Sequence, residues 1–456
     1  MDFLFLEKCI MALPTNILQQ VQTYQRSALA LLENLNCFIS TANTKFKDFD
    51  KITANLGSTV TFDLPPRFTT AAGLVASFQP AVQRVLPLTC DQATNTSYAF
   101  TAQDRIFNVE KDTESYMEQF GRSATAEMGA NTEANLALNA NSHVPVNTVV
   151  NGQTVPTGAL HTESGPYRFF GNGTTAINSF QQLAQMIANF KNYGSVKEGI
   201  KVYLPDTIVP AIVGSGLNQF APDRNNDIAM SWEVGKFGTP PVMYYQSNLL
   251  PIHTSGTIGD TAAPNNIMTV VSTNDPTGAA ITQITFTEPT GGTDANAIKS
   301  GDLLQFNDGV SGQANIRYLT FIGHTISNQP VQIRATADAA SVAGTVVVNI
   351  TPTLQSTSGG NQNISRNIVA GMTATPLPSH RCGLVVGGNA LYLAMPRLPD
   401  QYPFPTSAEY DSDTGVSLRM TYGSLFGQNQ MGMIHDCTWG SVLVPEYSMR
   451  MAFPLS

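Results

Sequence analysis

The apolar positions of this chain change period several times, and each change marks an element. In residues 15–39, TNILQQVQTYQRSALALLENLNCFI, Ile17, Val21, Tyr24, Ala28, Leu31, Leu32 and Leu35 stand three or four apart, the spacing of one helical face. This predicts an amphipathic N-terminal arm, suited equally to core packing and to a partner. From Gly57 the period drops to two. GSTVTFDLPP alternates Val60, Phe62 and Leu64 with Thr59, Thr61 and Asp63, a half-exposed strand stopped by two prolines. After RFTTAAGLVASFQPAVQRVLPL a second strand-like run comes. Residues 57–100 thus read as a long hairpin with no core of its own, to be buried against a neighbour.

The next stretch, FNVEKDTESYMEQFGRSATAEMGANTEANLALNANSHVPV (107–146), holds no helix breaker until its end. Val109, Thr113, Tyr116, Phe120, Ala124 and Met128 fall in one stripe. Glu110, Asp112 and Glu114 suit the positive end of the helix dipole, and Glu118 and Arg122 form an i, i+4 pair. Asn139, Asn141 and Pro145 mark the stop. Such a helix is on the order of 40 Å long, more than one ordinary core requires, and is best read as a spine.

SFQQLAQMIANFKNYG repeats the helical spacing with Phe180, Leu183, Ile187 and Phe190, Ser179 as N-cap and Gly194 as stop. IKVYLP then reads as a strand and DTIVPAIVGSGLNQF as a helix. Between about 255 and 375 come six strand-like runs at 267–271, 281–286, 302–306, 318–325, 331–335 and 345–350, separated by Gly, Asn, Asp and Pro clusters. That spacing predicts a small barrel or sandwich. The flanking segments PVMYYQSNLLPIHT and MTATPLPSHRCGLVVGGNALYL read as strands of the surrounding domain, so the module is an insertion. VSLRMTYG places Val416, Leu418, Met420 and Tyr422 on one face, and MGMIHDCTWGSVLV and SMRMAF supply further strands. The fold class is α+β.

Charged residues are only 12% of the 456, against roughly 25% in ordinary soluble domains. A polar surface so poor in charge suggests coverage by other subunits. Net charge is −9, unsuited to a basic nucleic-acid groove. The five cysteines, Cys9, Cys37, Cys90, Cys382 and Cys437, form no C-x-x-C pair and point to a reducing compartment. No run reaches the length of a membrane helix. The opening MDFLFLEKCI lacks the basic region of a signal sequence. Met11 is an equally good start, which leaves open whether residues 1–10 belong to the mature protein. Cytosolic synthesis is expected.

The order of these elements resembles the major capsid proteins of tailed phages, the Hong Kong 97 fold, and is most similar to coat proteins of the short-tailed Salmonella phage type with an inserted six-stranded β-barrel. GSTVTFDLP stands where that family's E-loop begins and Phe107–Val146 where its spine helix lies. AIKSGDLLQFNDGVSGQANIRYLTFIGHT (297–325) is similar to a run of the inserted domain. The resemblance implies an N-terminal arm (1–50), an E-loop (51–105), a spine helix of the peripheral domain (106–145), a peripheral and axial α/β part (146–254), the barrel (255–375) and closing strands (376–456). It further implies hexamers and pentamers of an icosahedral head, assembled in bacterial cytoplasm with a scaffolding protein, a portal and in some cases a decoration protein. The head would enclose double-stranded DNA without reading its sequence. The virion is the expected location, with no membrane. Arg67, Phe68, Arg84, Asp308 and Arg317 are the expected subunit contacts. The archetype of the fold links subunits through an E-loop lysine. Residues 57–100 here contain no lysine, only Arg67 and Arg84, and a guanidinium stays protonated and inert. A noncovalent shell is therefore expected. From residue 300 onward every cation is arginine (317, 334, 366, 381, 397, 419, 450), a residue suited to bidentate interface pairs.

No enzyme, cofactor or metal is expected. In His435-Asp436-Cys437 a strand puts the histidine and cysteine on one face and the aspartate on the other, so no relay forms locally. His380-Arg381-Cys382 reads the same way. Gly171-Asn172-Gly173 and Gly214-Ser215-Gly216 lack the context of a phosphate loop and read as turns. Two alternatives stand beside the capsid: an encapsulin-like protein compartment, and a β-rich surface or adhesion protein.

Overall fold

Alternation in TVVVNI becomes a barrel wall. In the strand Thr345–Leu354, Val346, Val348 and Ile350 point inward and Thr345, Val347 and Asn349 outward, the period-two pattern of a sheet with one dry face. The computed structural model describes residues 37–44, 59–64, 68, 78, 84–101, 113–141, 149–150, 153–154, 164–193, 199–208, 210, 242–262, 264–289, 291–307, 316–321, 323–399, 406–410, 415–425 and 430–455. They fall into two units. The first takes in Met1–Ser58, Cys90–Glu133 and Leu393–Gly440, the second Thr59–Thr89, Ala134–Tyr392 and Ser441–Ser456.

In the second unit six antiparallel strands close a barrel: Ile281–Thr287, Met268–Thr273, Thr373–Pro376, Leu303–Phe306, Gln332–Ala335, Thr345–Leu354, and back to the first. Their inward side chains, among them Met268, Ile284, Phe286, Leu304, Phe306, Ile333 and Val348, form one dry core. Five of the six expected runs supply barrel strands. The sixth, 318–325, does not. Arg317–Leu319 pairs with Ile326–Pro330 in a separate two-stranded sheet, because a tight turn that puts His324 at φ 49° folds the run back on itself. Thr373–Pro376 takes its place, a stretch expected to belong to the surrounding domain.

Beside the barrel lies a core sheet ordered Phe169–Phe170, Ser448–Phe453, His380–Val386, Lys201–Leu204, Met243–Gln246, with Ile252–His253 also on His380–Val386. In chain order the barrel lies between two strands of this sheet, Ile252–His253 and His380–Val386. Helix Phe180–Asn192 covers the sheet through Leu183, Met186 and Phe190, packed with Val202, Leu204, Val385, Met449 and Met451. Its start is as expected. Ser179 Oγ accepts from the Gln182 amide and Gln182 Oε1 accepts from the Ser179 amide, a capping box. Gly194, the helix expected in DTIVPAIVGSGLNQF and the pair Gly214 and Gly216 lie outside the described residues. Gln332 joins barrel to sheet. Its Oε1 accepts from the Phe169 amide at 2.8 Å, and its Nε2 donates to the Phe169 carbonyl at 3.1 Å and to Gln305 Oε1 at 3.0 Å.

The hairpin is present as an antiparallel ribbon, Thr59–Leu64 on Arg84–Thr89, in register from Thr59↔Thr89 to Leu64↔Arg84. It does not lack a home: Leu86 and Leu88 are fully buried. Pro87 between them is half-buried and Thr89 is buried as well.

In the first unit Gln92–Thr101, Gln430–Leu443, Ser417–Leu425 and Thr406–Tyr410 lie side by side, all antiparallel. Val416, Leu418 and Met420 are buried as expected, but Ser417, Arg419 and Thr421 on the other face are buried too. Arg419 tolerates this because the register sets it opposite Asp436, whose carboxylate it grips with two nitrogens.

The long helix runs unbroken from Thr113 to Asn141, 29 residues, or about 43 Å. Residues 107–112 lie outside the described set, and with them Val109, Glu110 and Asp112. Its buried positions are 124, 125, 128, 129, 132, 133, 136, 137, 140 and 141, a strict i, i+1, i+4 stripe. Phe120, placed in the stripe by spacing, is 38% exposed. The buried set is mostly Ala, Thr and Gly, so close approach rather than bulk selects these residues. The expected arm helix at 15–39 enters the description only at Cys37–Thr41.

Candidate assembly site and buried charge clusters

Two aromatic rings stand out on the segment between the ribbon strands: Phe68 is 55% exposed and Phe78 98% exposed. Water around an apolar ring that large costs free energy that contact with another surface would recover. Phe68 is one of the expected contacts. Phe78 is not, although its place between a serine and Gln79-Pro80, outside any periodic run, is a usable signal. Arg84 ends its strand opposite Leu64. Arg317 belongs elsewhere, in the sheet with Ile326–Pro330, where its Nη1 donates to the Asn328 carbonyl at 2.6 Å. Arg67 and Asp308 lie outside the described residues.

The arginines of the C-terminal third are not all surface groups. Arg334 and Arg450 are fully buried and Arg419 nearly so, which corrects the expectation that they serve interfaces as a class. Arg450 sits mid-strand in SMRMAF. Its Nη1 donates to the Gly301 carbonyl at 3.0 Å and its Nη2 to the carbonyl of Asn141, the last residue of the long helix. A cation at a helix C-terminus meets the negative end of the dipole and an orphan carbonyl together. Nearby, Asp302 accepts from His253 Nε2 at 2.7 Å and from the amides of Gly256 and Lys299. The ring of His380 lies 5.4 Å from that of His253. Its Nδ1 donates to the Pro378 carbonyl, and its buried Nε2 has no partner. Burial, with Arg450 and His253 beside it, lowers the His380 pKa to about 3, and burial also lowers that of His253. Both rings are therefore neutral near pH 7. Each has its bonding nitrogen committed to a carboxylate or carbonyl, and no hydroxyl or thiol is hydrogen-bonded to either ring nitrogen among the described residues.

His435 and Cys437 do share a buried face, and Asp436 turns away to Arg419. His435 instead stacks on Tyr98 and meets its hydroxyl at 3.3 Å, and burial lowers its pKa to about 4. Burial raises the Cys437 thiol to about 12, the opposite of a nucleophile's environment. Asn172 Oδ1 accepts from the amides of Thr174 and Thr175 between Gly171 and Gly173, both at positive φ. That is the expected turn.

No protein-family model matches this chain, and no curated protein does. Solved structures do. The chain is similar to one titled Mycobacterium phage Che8, at 10% identity and a TM-score of 0.41 over 91% of this chain and 90% of the other. It is similar to the capsid of Ralstonia phage GP4, at 8% identity and 0.39 over 88% and 85%. A third is the head of Helicobacter pylori bacteriophage KHP40, at 9% identity and 0.38 over 92% and 90%. Overlaps this loose do not fix a fold.

Among the described residues no group of three or more His, Cys, Asp or Glu could hold a metal ion. No described helix is long and apolar enough to cross a membrane. Cys90, Cys382 and Cys437 are free thiols.

Proposed function

We propose that this chain is the major capsid protein of a tailed phage, building hexamers and pentamers of an icosahedral head around double-stranded DNA. The observation that carries the reading is the order of elements along the chain. A two-stranded ribbon with exposed aromatics, an unbroken 29-residue helix, a core sheet and a closed six-stranded barrel between two strands of that sheet succeed one another as the resemblance implies. The finer assignment to the Hong Kong 97 fold of the short-tailed Salmonella phage type, with its arm, E-loop, spine helix and inserted barrel, belongs to the same proposal. So do a scaffolding protein, a portal, assembly in bacterial cytoplasm, and the absence of catalysis.

Expression alone and with the proteins encoded beside it, followed by sedimentation and negative-stain microscopy, tests this. Closed shells or capsomers are expected. A monomer under every condition would overturn it, and shells filled with cargo protein would favour the encapsulin-like alternative. Boiling the assembled particles in SDS should give single chains, since residues 57–100 offer no lysine to cross-link; a ladder of multimers would refute the noncovalent shell.

Arg67, Phe68, Arg84, Asp308 and Arg317 are the proposed contacts. Arg84→Glu reverses a charge at a ribbon end, where it is expected to leave subunit unfolding within about 0.5 kcal/mol of wild type. Particle yield is expected to fall at least tenfold, and normal yield would remove Arg84 from the interface.

A further inference from the structure

We propose that a cleft between the barrel and the core sheet of the second unit binds an extended, uncharged stretch of another polypeptide and holds it by its backbone. The cleft measures about 590 Å³, within the range of roughly 300–1,000 Å³ of ligand sites. Phe169, Gly171 and Thr174 line it on the core-sheet side, Gln305, Asn307 and Thr375 on the barrel side. The lining contains no lysine, arginine or histidine. Its one carboxylate, Asp260, already accepts from the Ser379 amide at 2.6 Å and the Ser379 hydroxyl at 2.8 Å. A charged ligand would therefore give up water without meeting an opposite charge free to receive it.

The Phe169 backbone fixes how the amides of this cleft are turned. Its N–H donates to Gln332 Oε1, and its carbonyl accepts from Gln332 Nε2. Gln332 Nε2 donates also to Gln305 Oε1 at 3.0 Å, which leaves Nε2 as the unused group of Gln305. That donor has no partner among the described residues. Asn266, in the same lining, has an Oδ1 shut from solvent and likewise without a partner. The cleft thus holds one spare amide donor and one spare amide acceptor.

Gln332 shows what such groups recognise. Phe169–Phe170 ends the core sheet, and Gln332 stands in for the missing neighbour by pairing with the N–H and C=O of a single residue. A backbone laid along the cleft offers the same two groups again and again, so main-chain bonds supply the affinity. Its side chains need only be neutral. A sugar ring would want an open aromatic face, and Phe169, the one aromatic in the lining, is 7% exposed. None of this depends on whether the chain forms shells.

Calorimetric titration of the intact chain with the blocked peptide acetyl-Ala-Thr-Ala-Val-Ala-Thr-amide tests it. Binding in the millimolar range or tighter is expected. Replacing the threonines by glutamate or by lysine, or N-methylating every residue, should each weaken it at least tenfold, and maltotriose should not bind. Gln305→Glu keeps the acceptor for Gln332 and puts an oxygen where the spare donor stands, so it should cost at least tenfold as well. If that variant does not fold, Thr174→Trp on the exposed turn should block the cleft instead. No binding by the peptide, equal binding by its charged or N-methylated forms, a preference for maltotriose, or unchanged affinity in the folded variant would each overturn the assignment.

Discussion

Arg450→Met should lower the stability of the second unit by about 2–4 kcal/mol, the usual consequence of taking the charged donor from two buried carbonyls. Methionine matches the length of the side chain but donates nothing. The carbonyls of Gly301 and Asn141 would lose their donor, and Asp302 would lose the nearby cation. Each loss leaves a buried group that water cannot reach. Urea unfolding followed by circular dichroism measures it, and a change below about 1 kcal/mol would show that Arg450 fills space rather than joins elements. Arg450→Lys should recover only part, since an ammonium reaches one carbonyl where the guanidinium fork reaches two.

Acid should weaken both units, starting well above the carboxylate range. The pKa of His380 is lowered to about 3 and that of His435 to about 4. For a base so depressed, the neutral folded form is favoured, and its contribution is intact above the unfolded value of 6.5. Below that the unfolded chain takes up the proton and the folded chain does not, so stability falls as pH drops toward the folded value. At pH 4.5 each histidine should have cost about 2–3 kcal/mol. His253, lowered by burial against the pull of Asp302, acts in the same direction. The check is a urea series from pH 7.5 to 4.5 on wild type, His380→Gln and His435→Gln. Each substitution should reduce the slope of stability against pH by about one proton over most of that range. Parallel slopes would mean that the rings are already hydrated in the folded protein.

Period and punctuation carry much of the fold. The ribbon strands, the long helix, the capped helix at 180–192 and five barrel strands are legible because their alternation or capping residues are local. The rest is hidden for physical reasons. The sixth barrel strand, TATP, is too short and too polar to announce itself, and is defined only by the two strands it fits between. The stripe of the long helix is written in Ala, Thr and Gly, so a reading by bulk selects Phe120 and passes over Thr132 and Glu133. The ionic centre at Arg450 draws Asp302, His253 and the Asn141 carbonyl from points far apart in the chain. Only one sign of it is local: a lone arginine in an otherwise apolar strand. The proposed contacts are half legible, since exposure of Phe68 and Phe78 needs coordinates, whereas the absence of lysine from residues 57–100 needs none.

The strand order also sets a timetable. The barrel can close once Thr373–Pro376 is synthesised, because its other five strands come earlier. The core sheet cannot, since Ser448–Phe453 is hydrogen-bonded along His380–Val386 and is made last of all. A chain emerging from the ribosome would therefore hold a finished barrel while the sheet still shows an open, apolar edge. During that interval, spanning synthesis of roughly seventy-five further residues at about 5–20 per second, the nascent polypeptide is most vulnerable to mispairing with its siblings.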